Sequence, residues 1–170
     1  MDEQELLDVV DKNDKVIGQD TKENKFLKGL VTRCVAVFII DRKEKIMIAK
    51  RSSKKKSFPN RYDATACGNV KAGEDYNEAA QREVKEELGI RCDLKFLGKV
   101  FNEFQENSKT LRHFTGIFSG RFDEEIRLSD ELVEIQKLSV EEIESLISKN
   151  KELFTPGFVK DFLYVKDKLK

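Results

Sequence analysis

The chain has 170 residues, and 32 Lys plus Arg balance 32 Asp plus Glu, so its formal net charge is zero. That length fits one domain with a core of useful size, and the charge balance excludes a nucleic-acid or membrane surface driven by bulk charge. No apolar run reaches the roughly 18 residues of a membrane span, the acidic start MDEQELLDVV lacks the features of a signal peptide, and three cysteines (Cys34, Cys67, Cys92) without a CxxC pair fit a reduced, cytoplasmic protein.

LLDVVDKNDKVIG predicts two short strands around a polar turn, Asp11 to Lys15. LVTRCVAVFIIDRKEKIMIAKR predicts a hairpin, with apolar runs Val35–Ile40 and Ile46–Ala49 about a charged turn. Ser52 to Asn60 is a basic loop closed by Pro59. RYDATACGNV predicts a strand ending near Gly68. A turn at Gly73-Glu74-Asp75 leads into a helix over Tyr76 to Leu88, stopped by Gly89. Leu94–Phe104 and Leu111–Phe122 predict a second hairpin, and ELVEIQKLS a further short strand. VEEIESLISKN predicts a helix capped by Ser139, with Glu142 at capping-box spacing. Thr155 and Pro156 start a final helix over PGFVKDFLYVKDKLK. This order predicts the α/β class: a mixed β-sheet with helices on its faces, an α/β/α sandwich. We read one domain over residues 1–170, with 1–30 as an N-terminal strand extension and 31–170 as the core.

The informative stretch is CGNVKAGEDYNEAAQREVKEELGI, Cys67 to Ile90, in which REVKEE crowds three acids together. On a helical wheel Ala80, Val84 and Leu88 stack as a core stripe. Glu83 and Glu87 fall one turn apart beside that stripe, with Glu86 next to them. Like charges at i, i+4 destabilise a helix by a few tenths of a kcal/mol, and the macrodipole disfavours negative charge near the C-terminus. A divalent cation reverses both penalties, and carboxylate oxygens suit hard ions such as Mg²⁺, Mn²⁺ and Ca²⁺. Taken alone, the three acids also fit a solvated acidic face. The single histidine, His113, rules out a multi-histidine metal site within one chain.

The spacing says more. Five residues separate Gly68 from Glu74, and seven separate Glu74 from Arg82; then follow Glu83, Val84, Glu86, Glu87, Gly89 and Ile90. This resembles the Nudix box, G-x5-E-x7-R-E-U-x-E-E-x-G-U with U aliphatic, at every defined position. The resemblance implies a Nudix α/β/α sandwich and hydrolysis of a small-molecule diphosphate by attack of water on phosphorus. It also implies Mg²⁺, with Mn²⁺ as an alternative, bound by Glu83 and Glu87, with the Gly68 carbonyl joining. Glu86 is a further ligand or orients and deprotonates the water. Glu74 pairs with Arg82, while Gly73 and Gly89 serve turns.

Residues Leu6 to Phe122 are similar to the isopentenyl-diphosphate-isomerase-like branch of this family, through Lys50-Arg51-Ser52, Lys56 and Phe58-Pro59 ahead of the box. That pattern implies that Arg51 and Lys56 face the diphosphate. Cys67 stands where the isomerase carries its catalytic cysteine, yet Thr32 and Asn69 stand where it carries metal-binding histidines. The isomerase and a non-catalytic binding module are therefore the alternatives to a hydrolase. We read Cys67 as a buried strand-end cysteine, His113 as a packed or edge histidine, and Phe58 as packing the loop. Lys50, Lys54 and Lys55 complete the basic loop. Glu103, Glu106, Glu131 and Glu134 are equal candidates for an acid outside the box. The resemblance leaves a homodimer open, while the balanced charge and the lack of a long apolar run imply no obligatory nucleic-acid partner and no membrane.

Overall fold

The computed structural model describes residues 4–170; residues 1–3 of the acidic start lie outside the described residues. Strands β1 (Leu6–Val10) and β2 (Val16–Thr21) form a separate antiparallel hairpin. A short helix, α1 (Lys22–Lys28), follows. Then come β3 (Val31–Ile40), β4 (Ile46–Arg51), β5 (Tyr62–Asp63), β6 (Ala66–Asn69), α2 (Tyr76–Leu88), β7 (Leu94–Glu106), β8 (Lys109–Arg121), β9 (Leu132–Leu138), α3 (Val140–Asn150) and α4 (Pro156–Val165). The second sheet is mixed: β3 runs parallel to β8, and the other pairings are antiparallel.

Three elements differ from the sequence expectation. RYDATACGNV forms two short strands, because Thr65 turns inward and its hydroxyl bridges the Ile39 N–H and the Met47 carbonyl. The last helix ends at Val165 and tightens into a 3-10 turn over Lys166–Lys168. The unforeseen α1 is a polar helix of under two turns, closed by a Thr21 cap on the Asn24 N–H and by Gly29 at φ 61°.

Strand β3 is the central partition. Its even residues Ala36, Phe38 and Ile40 pack with Val140 and Ile143 of α3 and with Phe158, Phe162 and Val165 of α4. Its odd residues Val35, Val37 and Ile39 pack with Ala79, Ala80, Val84 and Leu88 of α2. This two-residue alternation gives the helix–sheet–helix layers. One edge of β3 pairs throughout with β8, while the other is divided: Cys34–Val37 pair with β6 and Ile39–Ile40 with β4. β6 and β4 diverge from that fork, which opens the sheet beside the start of the box.

The N-terminal hairpin is fastened over this opening. Asp14, at its turn, accepts from Arg33 (2.6 Å), Tyr76 (2.8 Å) and Lys99 (2.6 Å). Asp8 accepts from the Gly73 N–H at 3.0 Å, and the Ala72 N–H donates to the Leu6 carbonyl at 2.8 Å.

Candidate active site

Helix α2 carries the acids, and its ends are fixed by sequence. Asp75 caps it, forming a reciprocal capping box with Glu78, and Gly89 ends it in the left-handed conformation at φ 68°. Ala80, Val84 and Leu88 are wholly buried. The stripe carries Glu83 and Glu87 inward with it, to 8% and 4% exposure. Glu86 is turned outward, its side chain 54% exposed.

Arg82 organises the acids. It grips both oxygens of Glu74 (2.7 and 2.9 Å) and donates to the Asn69 carbonyl at 2.8 Å. Its Nη1 donates to Glu83 at 2.7 Å and to Glu86 at 3.3 Å. Glu74 also accepts from the Lys71 N–H at 2.9 Å, so the Glu74–Arg82 pair ties the loop to the helix. Gly73 (φ 82°) makes the turn between them. Gly68 leaves room for an acid, since a Cβ there would lie 2.2 Å from Glu83 Oε1.

Glu87 accepts from the Cys67 N–H at 3.0 Å. Burial, and then the Glu83 charge, push its pKa well above the carboxylate range. Burial likewise raises Glu83 to about 7, against the pull of Arg82. Of the two buried acids only Glu83 has a cationic partner, Arg82, among the described residues. Their donors are all oxygen, so the set fits a hard divalent cation. Among the described residues no three His, Cys, Asp or Glu side chains form a ready-made cage; Arg82 draws Glu83 and Glu86 one way, and the Cys67 N–H holds Glu87 another.

Of the four acids outside the box, Glu131 is the one that lines the same cavity as Glu83 and Glu87. Burial would raise the Glu131 pKa, but its ion pair with Lys55, at 2.8 Å, outweighs that and lowers it. Glu103 pairs with Arg112, Glu106 accepts from the Phe58 N–H, and Glu134 accepts from the Tyr62 hydroxyl.

Glu83, Glu86, Glu87 and Glu131 line a cavity of about 530 Å³, a size typical of small-molecule sites. The basic loop forms its opposite rim. Lys54 and Lys56 line it and form no ion pair among the described residues. Arg51 lines it too, but donates to the Ser57 carbonyl (2.8 and 3.2 Å) and lies 3.6 Å from Asp63, so it shapes the loop as well. Phe58 packs edge-on against Phe104. Lys50 lies over the Tyr62 ring. Among the cavity residues not foreseen is Lys25 of α1, which is only 5% exposed and donates to Asn69 Oδ1 at 3.1 Å. Its signal was the Thr21-x-x-Asn24 cap and Gly29, which bracket a segment too short to show helical periodicity.

Cys67 lies in β6 opposite Ala36, and burial pushes its thiol well above its usual pKa. His113, in β8, is half-buried, and its pKa is held down to about 3, chiefly by desolvation and then by the Lys25 charge. Thr32, its partner across the β3–β8 ladder, has a buried hydroxyl with no partner.

The sequence pattern of the NUDIX domain matches residues 30–160. Isopentenyl-diphosphate Delta-isomerase 2 of Photorhabdus laumondii is 28% identical over 158 residues, spanning 92% of this chain and 89% of that protein. A Nudix hydrolase of Deinococcus radiodurans is 33% identical over 119 residues, 70% of this chain and 69% of that one. Among solved structures, DR0079 from Deinococcus radiodurans superposes with a TM-score of 0.70 at 26% identity, covering 86% of this chain and 90% of its own.

Proposed function

The chain belongs to the NUDIX domain family, and on that premise we propose that it is a metal-dependent hydrolase that cleaves the diphosphate of a small substrate. The observation that carries this reading is the pair of acids, Glu83 and Glu87, held buried in a cavity wall, of which only Glu83 has a cationic partner among the described residues. Glu83, Glu87, Glu86 and the Gly68 carbonyl are the groups to hold Mg²⁺ or Mn²⁺, with Glu131 beside them. A divalent ion there neutralises phosphate oxygens and acidifies water.

The protein's own part is positioning. Arg82 fixes the direction of Glu83 and Glu86, and the Cys67 N–H fixes Glu87. Glu86, exposed at the mouth, orients the attacking water and takes its proton. Lys56 and Lys54 draw the diphosphate in from the rim, and Arg51 holds the loop that presents them. The intact acid set speaks against a non-catalytic module.

The isomerase relatives, together with Cys67 in the cavity wall, keep isomerisation as the second reading. Against it, Asn69 is engaged by Lys25, and His113 is the one histidine of the chain. The test is to incubate the full chain with Mg²⁺ and a panel of nucleoside diphosphates, nucleoside triphosphates, nucleotide sugars and isopentenyl diphosphate, with calorimetry of Mg²⁺ uptake alongside. Metal-dependent phosphate release, abolished in Glu83→Gln, is expected. Double-bond migration without phosphate release would install the isomerase instead, and neither reaction from a folded, metal-loaded chain would install a binding module.

A further inference from the structure

The far end of the cavity carries a second polar set that neither metal nor diphosphate binding uses. Helix α4 brings in Asp161, strand β7 brings in Asn102, and β8 brings in His113 and Thr115. The register places Asn102 opposite His113, and Asp161 reaches the same spot from the helix layer. Asn102 commits both amide hydrogens there, donating to Thr115 Oγ1 at 2.8 Å and to Asp161 Oδ1 at 2.9 Å.

Other hydrogen-bonding capacity stays free. Asp161 is 4% exposed and forms no ion pair among the described residues, and its one donor there is Asn102. His113 Nδ1 is buried without a partner. Asp161, His113 and Thr115 all line the cavity, with Phe104 and Phe158 as apolar walls. The Phe104 ring stands edge-on to His113, centroids 5.6 Å apart.

This chemistry discriminates between substrate classes. A hydrocarbon tail filling the far end would strip water from the second oxygen of Asp161 and return no hydrogen bond. A carboxyl so stranded costs about ten- to hundred-fold in affinity. A group with an N–H donor recovers that bond, and the aromatic walls accept either a flat ring or a cation.

We propose that Asp161 is a specificity residue: the far end of the cavity takes a substrate group ending in N–H donors and refuses an isoprenoid tail. The source of the N–H is a nucleobase or an alkylammonium, and the probes below separate them. The inference rests on the proposed function only in placing the phosphates at the Glu83–Glu87 end.

The chain's single histidine makes the test direct. The full chain, ¹⁵N-labelled at histidine and loaded with Mg²⁺, is titrated with adenosine, guanosine and cytidine monophosphates, 2-aminoethyl phosphate and dimethylallyl phosphate. None of these contains a diphosphate to cleave. At least one N–H-bearing probe is expected to move the His113 ring signals and to bind at least tenfold more tightly than dimethylallyl phosphate. Asp161→Asn keeps an oxygen for Asn102 and replaces the other with a donor. It is expected to erase that preference while leaving dimethylallyl phosphate within about threefold. Asp161→Ala, if folded, does the same; if it does not fold, Asp161→Asn alone decides. Equal or tighter binding of dimethylallyl phosphate, an unchanged preference in Asp161→Asn, or still His113 signals with every probe would overturn the assignment. Failure of the hydrolase reading shows separately, as N–H-selective binding without phosphate release from any diphosphate.

Discussion

Replacing Gly68 by alanine tests the site at its tightest point. The added methyl would lie 2.2 Å from Glu83 Oε1 and 2.3 Å from Cδ, and both atoms belong to the free end of a flexible side chain. Glu83 therefore swings away while the backbone stays. Two terms then oppose each other. The bond from Arg82, at 2.7 Å, is lost, and a charge-assisted bond contributes about 1.5–3 kcal/mol. In return, a carboxylate that burial holds at a pKa of about 7 regains water, a relief of similar order. The net change is within about 2 kcal/mol, or less than about 8 °C in Tm for a chain of this size. Activity has no such compensation: removing one group aimed at a reacting centre costs about 10²–10³-fold. We expect metal-free Gly68→Ala to melt near the parent and its kcat/KM for phosphate release to fall at least about 100-fold. A stable variant with kcat/KM within about threefold of the parent would refute the placement of Glu83 in the site, and a collapse of the fold would refute the claim that its side chain can yield.

Glu87→Gln keeps an acceptor for the Cys67 N–H and removes a carboxyl whose ionisation burial opposes; the metal-free variant should melt at or above the parent temperature in differential scanning fluorimetry, with turnover reduced at least about 100-fold. Cys67→Ala should retain hydrolysis within about threefold in the same phosphate assay, and the parent thiol, raised by burial, should resist iodoacetamide at pH 8. Asp161 titrates at 3.8 unfolded and about 7 folded, through burial. The folded state thus binds more protons between those values, and the metal-free chain should lose stability as pH rises from about 4 to about 7, by up to about 4 kcal/mol from this group. Urea titrations should show a shallower decline in Asp161→Asn, and parallel curves for the two chains would remove Asp161 as a source.

The local signals in the sequence were the strong ones. Helix α2 begins and ends where Asp75 and Gly89 placed it, because cap and stop chemistry act over a few residues. The inward turn of Glu83 and Glu87 follows from the same 3.6-residue period as the core stripe. What composition could not give was any partnership made by the fold. Glu131 could be chosen from four acids only once β9's lead-in had returned to α2. Asp161, His113 and Asn102 looked like ordinary helix and strand residues, and they meet only through the β7–β8 register and the docking of α4. Lys25 was hidden in a helix of seven residues, four of them charged, where no apolar stripe marks an inner face.

The clasp between Asp8 and the Gly73 amide joins two parts of the chain that a family signature separates. The matched region opens at residue 30, after the hairpin and after Lys25. An expression boundary drawn there would remove the strap over the turn that opens the box and one cation that lines the cavity. A loss of activity in such a fragment would report on the missing strap and cation, not on the acids.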